Sequence, residues 1–193
     1  MRILISGSSG DIGSAVKALA MERGHEVFEV NRGDYAAGAL DLPDAIDAVV
    51  FATGTCPIKP LALTSDELMA ETVRVNCGLF LKLMRTIVAE RRYSREGMTA
   101  LAVSSVSASE GWPGGAAYCA SKGALSAMCR AMEAELAPKG ISVRAPEPRY
   151  VKTKMFDAGA GRMGAPASAA ISPREYALSL LACVEQRRME ELR

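Results

Sequence analysis

The sequence predicts one open α/β domain over residues 1–193, built on a parallel sheet. Short apolar strands such as Arg2–Ser6 and Met98–Val103 alternate with longer segments that carry apolar residues at helical spacing. Both strands lead into a glycine-rich loop and then into a helical pattern, the order of a strand-helix-strand unit. The chain of 193 residues has no evident linker or repeat, so it suits one domain with its own core.

Composition and charge exclude several classes of function. Apolar residues make up 49% and charged residues 23%, and the formal net charge is +1, so neither nucleic acid nor an acidic membrane is indicated as a partner. The single histidine, His25, removes His-based triads and His-rich metal sites from consideration, and we predict no metal. The five cysteines form no C-x-x-C pair, which indicates a reducing compartment. With no signal-like or membrane-spanning apolar run, we expect a cytoplasmic protein.

A glycine-rich turn joins the first strand to the first helix. Glycines allow a pyrophosphate to approach the backbone closely, and a helix N-terminus presents free N–H groups and the positive end of its dipole. An acid facing a pyrophosphate would be repelled, so Asp11 is expected to point away or to cap the helix. A tight strand-helix turn without a ligand is the alternative. The residues predicted to bind a dinucleotide here are Gly7, Ser8, Ser9, Gly10, Asp11, Ile12 and Gly13.

The second predicted strand, Glu26–Val30, ends in Asn31-Arg32. At this position an acid accepts from the ribose 2′-hydroxyl of NAD, whereas an arginine pairs with the 2′-phosphate of NADP. No acid precedes Asp34. Asn31 and Arg32 are therefore predicted to bind the cofactor and favour NADP, with a solvated surface arginine as the alternative.

The segment that follows is too short for a complete sheet of this type. Only sixteen residues separate Val30 from the apolar strand Asp47–Ala52, and a parallel crossover alone needs about a dozen. We therefore expect the edge strand around Leu40-Asp41-Leu42 to be short or absent, and at least one flanking helix to be lost.

The stretch from Val103 to Lys122 carries the candidate chemistry. Tyr118 and Lys122 stand at positions i and i+4 and so share one face of a helix. An ammonium beside a phenol stabilises the phenolate and lowers its pKa towards the range of a general acid/base. Ser105, thirteen residues before Tyr118, is positioned to hydrogen-bond the same reacting oxygen. The alternative is an exposed Tyr/Lys pair on an ordinary amphipathic helix.

These residues resemble the active-site motif of the short-chain dehydrogenase/reductase family, a Tyr-x-x-x-Lys with a serine about thirteen residues earlier. The resemblance spans nearly the whole chain and implies a Rossmann-type doubly wound parallel sheet, reduced here because the third edge strand and the last strand are short or missing. It also implies an NAD(P)H-dependent oxidoreductase that interconverts a small-molecule carbonyl and an alcohol, and a homodimer or homotetramer. Tyr118 would give its proton to the carbonyl oxygen, Ser105 would polarise that oxygen, and Lys122 would lower the tyrosine pKa and hold the nicotinamide ribose.

The same resemblance assigns roles to further positions. Asn76 resembles the family's helix asparagine, whose backbone holds a water in a proton relay, with a simple core hydrogen bond as the alternative. Asp41-Leu42 resembles the family's adenine-contacting pair, although the shortened segment puts that assignment in doubt. The remaining positions implied to contact the cofactor are Ala52, Thr53 and Gly54 after the third strand, and Pro148, Val151 and Thr153 near the nicotinamide.

Some residues depart from the family's pattern. Asp11 and Arg149 replace glycines, and Phe51 and Arg144 replace asparagines. Arg149 either binds an anionic substrate or crowds the nicotinamide site. These departures motivate a second hypothesis, a catalytically weakened dinucleotide-binding regulatory or scaffold protein. An epimerase or dehydratase is a weaker third hypothesis. The residues expected to line a substrate pocket are Cys56, Trp112, Arg149 and Met155.

Two sequence patterns predict capped helix starts. Thr64-Ser65-Asp66-Glu67 predicts a helix with Thr64 as N-cap and Glu67 at position N3. Ser172-Pro173-Arg174-Glu175 predicts a second capping box, with Pro173 at the first helical position.

Overall fold

The computed structural model of the chain describes residues 1–38, 40–163 and 167–191. Five parallel strands form one sheet in the order β2-β1-β3-β4-β5. This order confirms the reduced doubly wound α/β fold, and it reverses direction between β1 and β3, where open α/β sheets bind their ligands. The strands are β1 (Arg2–Ser6), β2 (Glu26–Val30), β3 (Ala48–Phe51), β4 (Met98–Ala102) and β5 (Ile141–Arg144).

Seven α-helices lie within the described residues. A π-helical turn, Arg74–Gly78, joins the third helix to the fourth. Among the described residues, no helix is both long enough and apolar enough to cross a membrane. The helices are α1 (Asp11–Glu22), α2 (Arg32–Ala36), α3 (Asp66–Val73), α4 (Leu79–Ala89), α5 (Ala116–Leu136), α6 (Lys154–Met163) and α7 (Pro173–Glu191).

Alternate side chains of the central strands enter two different cores, because successive residues of a strand point to opposite faces. Leu4 and Val49 lie in a core with residues of α4 and α5. Ile5 and Val50 lie in a second core with residues of α1 and α7. Burial on both faces explains why these strands are almost continuously apolar in sequence.

The sheet edge beside β2 is shortened as the sequence predicts. Among the described residues between β2 and β3 the only helix is α2, and Leu40 and Leu42 have irregular backbone with buried side chains. Tyr35 of α2 is also buried, and its hydroxyl forms a 2.8 Å hydrogen bond with Ser6 Oγ. These three side chains thus cover this part of the core, where the described residues form no further strand or helix.

One of the two predicted capping boxes is present, and at the other helix only an N-cap is found, one residue later than predicted. The Ser172 N–H donates to Glu175 Oε2 at 2.7 Å, and the Glu175 N–H donates to Ser172 Oγ at 3.1 Å, which confirms the cap of α7. The N-cap of α3 is Ser65, whose Oγ accepts from the Leu68 N–H at 3.2 Å. The prediction of Thr64 was wrong because Thr64 ends a preceding 3₁₀ turn and donates its hydroxyl to the Pro60 carbonyl.

Candidate active site

A cavity of about 190 Å³ opens at the carboxyl ends of the strands, beside the point where the strand order reverses. Its wall is built from loops that follow β3, β4 and β5, from the first turns of α1 and α6, and from the beginning of α5. The predicted site residues on this wall are Ile12, Ala52, Thr53, Gly54, Ser105, Tyr118, Lys122, Pro148, Val151 and Thr153.

Tyr118, Lys122 and Ser105 come together on this wall. Lys122 is 5% exposed, and its Nζ lies 5.6 Å from the centroid of the Tyr118 ring and donates to the Val103 carbonyl at 2.7 Å. The Ser105 hydroxyl accepts from the Ser107 N–H at 3.1 Å and lies close enough to the Tyr118 phenol to lower the pKa of that phenol. The structure thus brings together the three side chains that the strand-loop-helix order of the sequence predicts to meet.

The protonation of Tyr118 differs from the sequence-based expectation. Burial raises the pKa of the Tyr118 phenol, the neighbouring Cys56 adds to that rise, and the hydrogen bond with Ser105 opposes it. Burial also lowers the pKa of Lys122 to about 8. The predicted depression of the Tyr118 pKa is therefore wrong for this structure, because burial of the phenol has the largest effect on that pKa. At neutral pH the phenol holds its proton and Lys122 is charged.

Asn76 lies in the π-helical turn and is completely buried. Its Oδ1 accepts from the Thr55 N–H at 2.8 Å, and its Nδ2 donates to the Thr55 carbonyl at 2.9 Å and to Ser121 Oγ at 2.8 Å. The side chain therefore fixes the loop after Gly54 against α5, as the core hydrogen-bond alternative predicted. The role of the Asn76 backbone in a proton relay stays a prediction. It is consistent with the π-helical turn, because such turns are frequent at functional sites.

The glycine turn before α1 is tightly packed against itself. Gly7 has φ +82°, and a Cβ at Gly13 would stand 2.1 Å from the Gly7 carbonyl oxygen, so both positions require glycine. Gly10 is different, because a Cβ there would meet only the Gly7 oxygen, at 3.5 Å. Gly10 is the N-cap of α1 and no side chain caps this helix. The open space at Gly10 and the uncapped helix N-terminus fit a pyrophosphate.

Asp11 points away from this turn. Its Oδ2 accepts a hydrogen bond from the Lys154 N–H at 2.7 Å, at the first residue of α6. The carboxylate therefore caps α6 rather than its own helix, and it ties the glycine turn to the segment that contains Thr153. The structure confirms that the Asp11 side chain points away, and contact of its backbone N–H with a pyrophosphate stays a prediction.

Asn31 and Arg32 lie beside the glycine turn. The Ser8 and Ser9 hydroxyls donate to Asn31 Oδ1 at 3.3 and 3.4 Å. Arg32 is exposed, and the pKa of the Glu71 carboxyl is lowered chiefly by its hydrogen bonds with Arg74 and in smaller part by the charge of Arg32. The arginine is free to meet a ligand, and its preference for NADP stays a prediction.

Asp41 and Leu42 are not near the cavity wall. Asp41 is exposed, whereas the buried Leu42 presents its carbonyl to Arg92 Nη1 at 3.3 Å. Arg92 also pairs with Asp44, whose carbonyl accepts from Arg2 at the start of β1. This places Leu42 towards the amino ends of the strands, opposite the cavity, so the structure does not support the predicted adenine contact. The cause is the shortened chain between β2 and β3.

Arg149 lies at the rim of the cavity. Its guanidinium forms a bidentate pair with Glu110, at 2.7 and 3.3 Å, and its side chain is 59% exposed. An arginine held in this way does not fill the cavity, so the crowding alternative is wrong for this structure. Binding of an anionic substrate at this rim stays a prediction.

Sequence reasoning predicted part of the remaining wall. Cys56, Trp112 and Met155 line the cavity as expected, and the Trp112 ring lies 6.3 Å from the Tyr118 ring. Glu110 was missed, although its charge is opposite to that of Arg149. The other wall residues that sequence reasoning did not single out include Thr55, Ser107, Tyr150 and Phe156.

Comparisons with known proteins identify the family. The family model for short chain dehydrogenase matches residues 34–161, about two thirds of the chain. The chain belongs to the short-chain dehydrogenase family. The matched segment of this short-chain dehydrogenase contains Asn76, Ser105, Tyr118 and Lys122, whereas the glycine turn lies before it.

Curated relatives of this short-chain dehydrogenase include two kinds of enzyme. A cyclopentanol dehydrogenase from a Comamonas species is 29% identical over 161 residues, which cover 79% of this chain and 64% of the relative. A 3-oxoacyl-(acyl-carrier-protein) reductase from Rickettsia conorii is 26% identical over 179 residues, covering 80% of this chain and 74% of the relative. The chain thus spans less than two thirds of the length of the cyclopentanol dehydrogenase.

Solved structures confirm the fold over nearly the whole short-chain dehydrogenase. A 4-hydroxyisoleucine dehydrogenase complexed with NADH is similar with a TM-score of 0.80 and 21% identity, covering 97% of this chain and 93% of that one. A 3-ketoacyl-(acyl-carrier-protein) reductase from Brucella melitensis complexed with NADH has a TM-score of 0.76 and 22% identity, covering 97% and 92%. At these identities the likeness concerns the fold.

Proposed function

We propose that this short-chain dehydrogenase interconverts a carbonyl and an alcohol, with a nicotinamide dinucleotide as the hydride carrier. The observation that supports it best is the meeting of Tyr118, Ser105 and Lys122 on one cavity wall that also includes Ile12, from the first turn of α1. A proton donor, a polarising hydroxyl and a helix N-terminus suited to phosphate therefore share one cleft. The curated relatives, a dehydrogenase and a reductase, support the same class of reaction.

The residues of the cleft fit a dinucleotide along its length. The N-terminus of α1 at Gly10 would take the pyrophosphate, and Thr53 and Gly54 would line the space beside it. Val151 and Thr153 would face the nicotinamide. The bound dinucleotide supplies the hydride. Arg32, exposed beside the glycine turn, favours NADP over NAD through a 2′-phosphate contact.

The protonation states suit Tyr118 as the proton donor in carbonyl reduction. Because burial raises the pKa of Tyr118, its phenol is protonated at neutral pH and has a proton to give. The Ser105 hydroxyl, on the same cavity wall as the phenol, polarises the carbonyl oxygen that receives this proton. Lys122 has a pKa of about 8 and is charged at neutral pH, so it stabilises the phenolate that remains.

The cavity favours a compact, largely apolar carbonyl compound. Trp112, Met155 and Phe156 give its wall an apolar surface, and the nicotinamide proposed to lie in the same cavity leaves only part of its volume of about 190 Å³ for the substrate. We propose cyclopentanone and a short 3-oxoacyl thioester as first substrates, because the curated relatives act on compounds of these classes by name.

Turnover with each dinucleotide tests this function. NADPH or NADH is mixed with each carbonyl compound, and the loss of dihydronicotinamide absorbance is followed. Y118F is expected to lower kcat by about 10²–10⁴, because the proton donor is removed. Y35F is the matched control, since the Tyr35 phenol bonds Ser6 and does not line the cavity. Equal activity of Y118F and wild type would contradict the role of Tyr118.

A dinucleotide-binding regulator is the second candidate. It is favoured by the hydrogen bond of Lys122 to the Val103 carbonyl, since this bond occupies one donor of the ammonium with the backbone. A regulator binds NADPH or NADH but turns over none of the carbonyl compounds. Calorimetric binding measured beside the turnover assay separates the two candidates.

We further propose that the protein forms a homodimer or homotetramer through its long central helices. Leu81 of α4 is 47% exposed, which leaves an apolar side chain on the outer surface of this layer. Light scattering at two protein concentrations measures the assembly, and L81E is expected to shift it towards the monomer.

A further inference from the structure

Asp11 links two helices that contribute to the cavity wall. It stands in the first turn of α1, beside the glycine turn, and its Oδ2 accepts from the Lys154 N–H at the start of α6 at 2.7 Å. The two residues are 143 positions apart in the chain. The family pattern has a glycine at position 11, which has no side chain for such a bond. The bond is therefore a property of this individual chain.

The start of α6 forms part of the cavity wall. Met155 and Phe156, in the first turn of α6, line the cavity, as does Thr153 just before it. The Phe156 side chain is buried, and its ring lies 5.6 Å from the ring of Tyr150, another wall residue. A displacement of this turn would therefore change the shape of the cavity.

Two further hydrogen bonds of this turn come from its own segment. The Phe156 N–H donates to Thr153 Oγ1 at 3.1 Å, and the Asp157 N–H donates to the Thr153 carbonyl at 2.9 Å. Thr153 directly precedes α6, so these bonds shape the turn but do not fix it against α1. The bond to Asp11 does fix it, because the carboxylate is carried by α1, whose Ile12 also lines the cavity.

A carboxylate is well suited to this position. The first N–H groups of a helix have no partner within the helix and lie at the positive end of its dipole, so an anionic acceptor forms a strong bond there. The backbone N–H of Asp11 belongs to the N-terminus of α1, which no side chain caps. One residue thus joins the helix end proposed for the pyrophosphate to the helix that walls the cavity.

We propose that Asp11 is a positioning residue for the carbonyl substrate, because it holds the first turn of α6 at a fixed place relative to the dinucleotide site. Met155 and Phe156 then hold the substrate between the hydride carrier and the Tyr118 phenol. The groups that take part in the chemistry belong to other elements, so loss of the bond weakens substrate binding more than it slows the chemical step. This inference rests on the proposed function, because it requires a dinucleotide and a carbonyl compound in one cavity.

Three variants separate this role from a general effect on the fold. D11A removes the acceptor, whereas D11N keeps an acceptor oxygen for the Lys154 N–H and loses the same charge, so a difference between them reports the acceptor alone. E22A is the matched control, because Glu22 also stands on α1 and bonds the start of a later helix, through Arg174 of α7 at 2.7 and 3.0 Å. Glu22 and Arg174 do not line the cavity.

Steady-state kinetics give the first readout. The substrate is cyclopentanone or the short 3-oxoacyl thioester, whichever the wild type turns over, at saturating dinucleotide. D11A is expected to raise KM for this substrate roughly three- to tenfold and to change kcat by about twofold or less. D11N is expected to restore KM towards the wild-type value, and E22A to leave it unchanged.

Two measurements without turnover complete the test. Trp112 is the only tryptophan of the chain and lines the cavity, so its fluorescence reports dinucleotide binding. The dinucleotide Kd of D11A is expected to stay within about twofold of the wild-type value. In the free protein, amide exchange at residues 154–157 is expected to be faster in D11A and unchanged in E22A.

Four results would overturn the inference alone. They are an unchanged KM in D11A, an equal rise in KM in D11A and E22A, a KM of D11N as high as that of D11A, and unchanged amide exchange at the start of α6 in D11A. The third result would assign the effect to the charge of Asp11 rather than to its hydrogen bond. A wild-type protein that turns over neither compound would refute the proposed function and this inference together.

Discussion

Replacing Gly13 with alanine tests the packing of the glycine turn. The new Cβ would stand 2.1 Å from the Gly7 carbonyl oxygen, 2.8 Å from the Gly7 carbonyl carbon and 3.0 Å from Ser8 Cα. All three neighbours are backbone atoms, so the turn must move by more than an ångström to restore ordinary contact. Overpacking of this kind costs about 1–3 kcal/mol. For a domain of this size, 2 kcal/mol corresponds to a fall in Tm of roughly 4–8 °C.

Gly10→Ala is the matched comparison. Gly10 has an extended backbone, φ −81° and ψ 166°, and its added Cβ would meet one atom at 3.5 Å. We expect a loss of about 0.5 kcal/mol, because alanine is a poorer N-cap than glycine. The same methyl group stands in the open space before α1, so G10A is expected to weaken dinucleotide binding while the fold is kept.

Urea unfolding followed by circular dichroism measures both variants, and Trp112 fluorescence measures dinucleotide binding. We expect G13A to lose stability and G10A to lose mainly affinity for the dinucleotide. Equal losses of free energy of unfolding in the two variants, or a larger loss in G10A, would refute the separation of a packed position from an open one.

Three further predictions concern charged groups around the site. D11A removes the acceptor for the Lys154 N–H and is expected to lower the free energy of unfolding by about 1 kcal/mol, with faster amide exchange at the start of α6. D11N keeps an acceptor oxygen and is expected to lose less of this free energy. The pKa of Lys122 is lowered to about 8, below its unfolded value of about 10.4, so the unfolded state binds more protons between these values. The free energy of unfolding of the wild type relative to K122M should therefore rise as pH increases through this window, and a fall would contradict the buried ammonium. E110Q breaks the exposed pair with Arg149 and should leave Tm unchanged. It should lower KM for a carboxylate-bearing carbonyl compound relative to KM for a neutral one. An unchanged ratio of these two KM values would exclude Arg149 from substrate binding.

Local patterns predicted much of the fold and the centre of the site. The strand Arg2–Ser6, the glycine turn and the i, i+4 spacing of Tyr118 and Lys122 each depend on residues close together in sequence. Chain length predicted the missing edge strand, because sixteen residues cannot form a strand and two helices. These features need no knowledge of distant contacts.

Other features depend on contacts between distant parts of the chain and could not be predicted in this way. The raised pKa of Tyr118 follows from burial, which the helix spacing does not reveal. The bond from Lys154 to Asp11 joins residues 143 positions apart. Leu42 packs near the amino ends of the strands because of the path that the shortened segment takes.

The central claim is that a hydride carrier sits between the glycine turn and the Tyr118 phenol. A crystal structure of the protein with bound NADPH tests it most directly. We predict the pyrophosphate at the N-terminus of α1 near Gly10, and the nicotinamide within the cavity against Ile12 and facing Tyr118. A dinucleotide bound elsewhere, or a nicotinamide separated from the Tyr118 hydroxyl by the cavity wall, would contradict the claim.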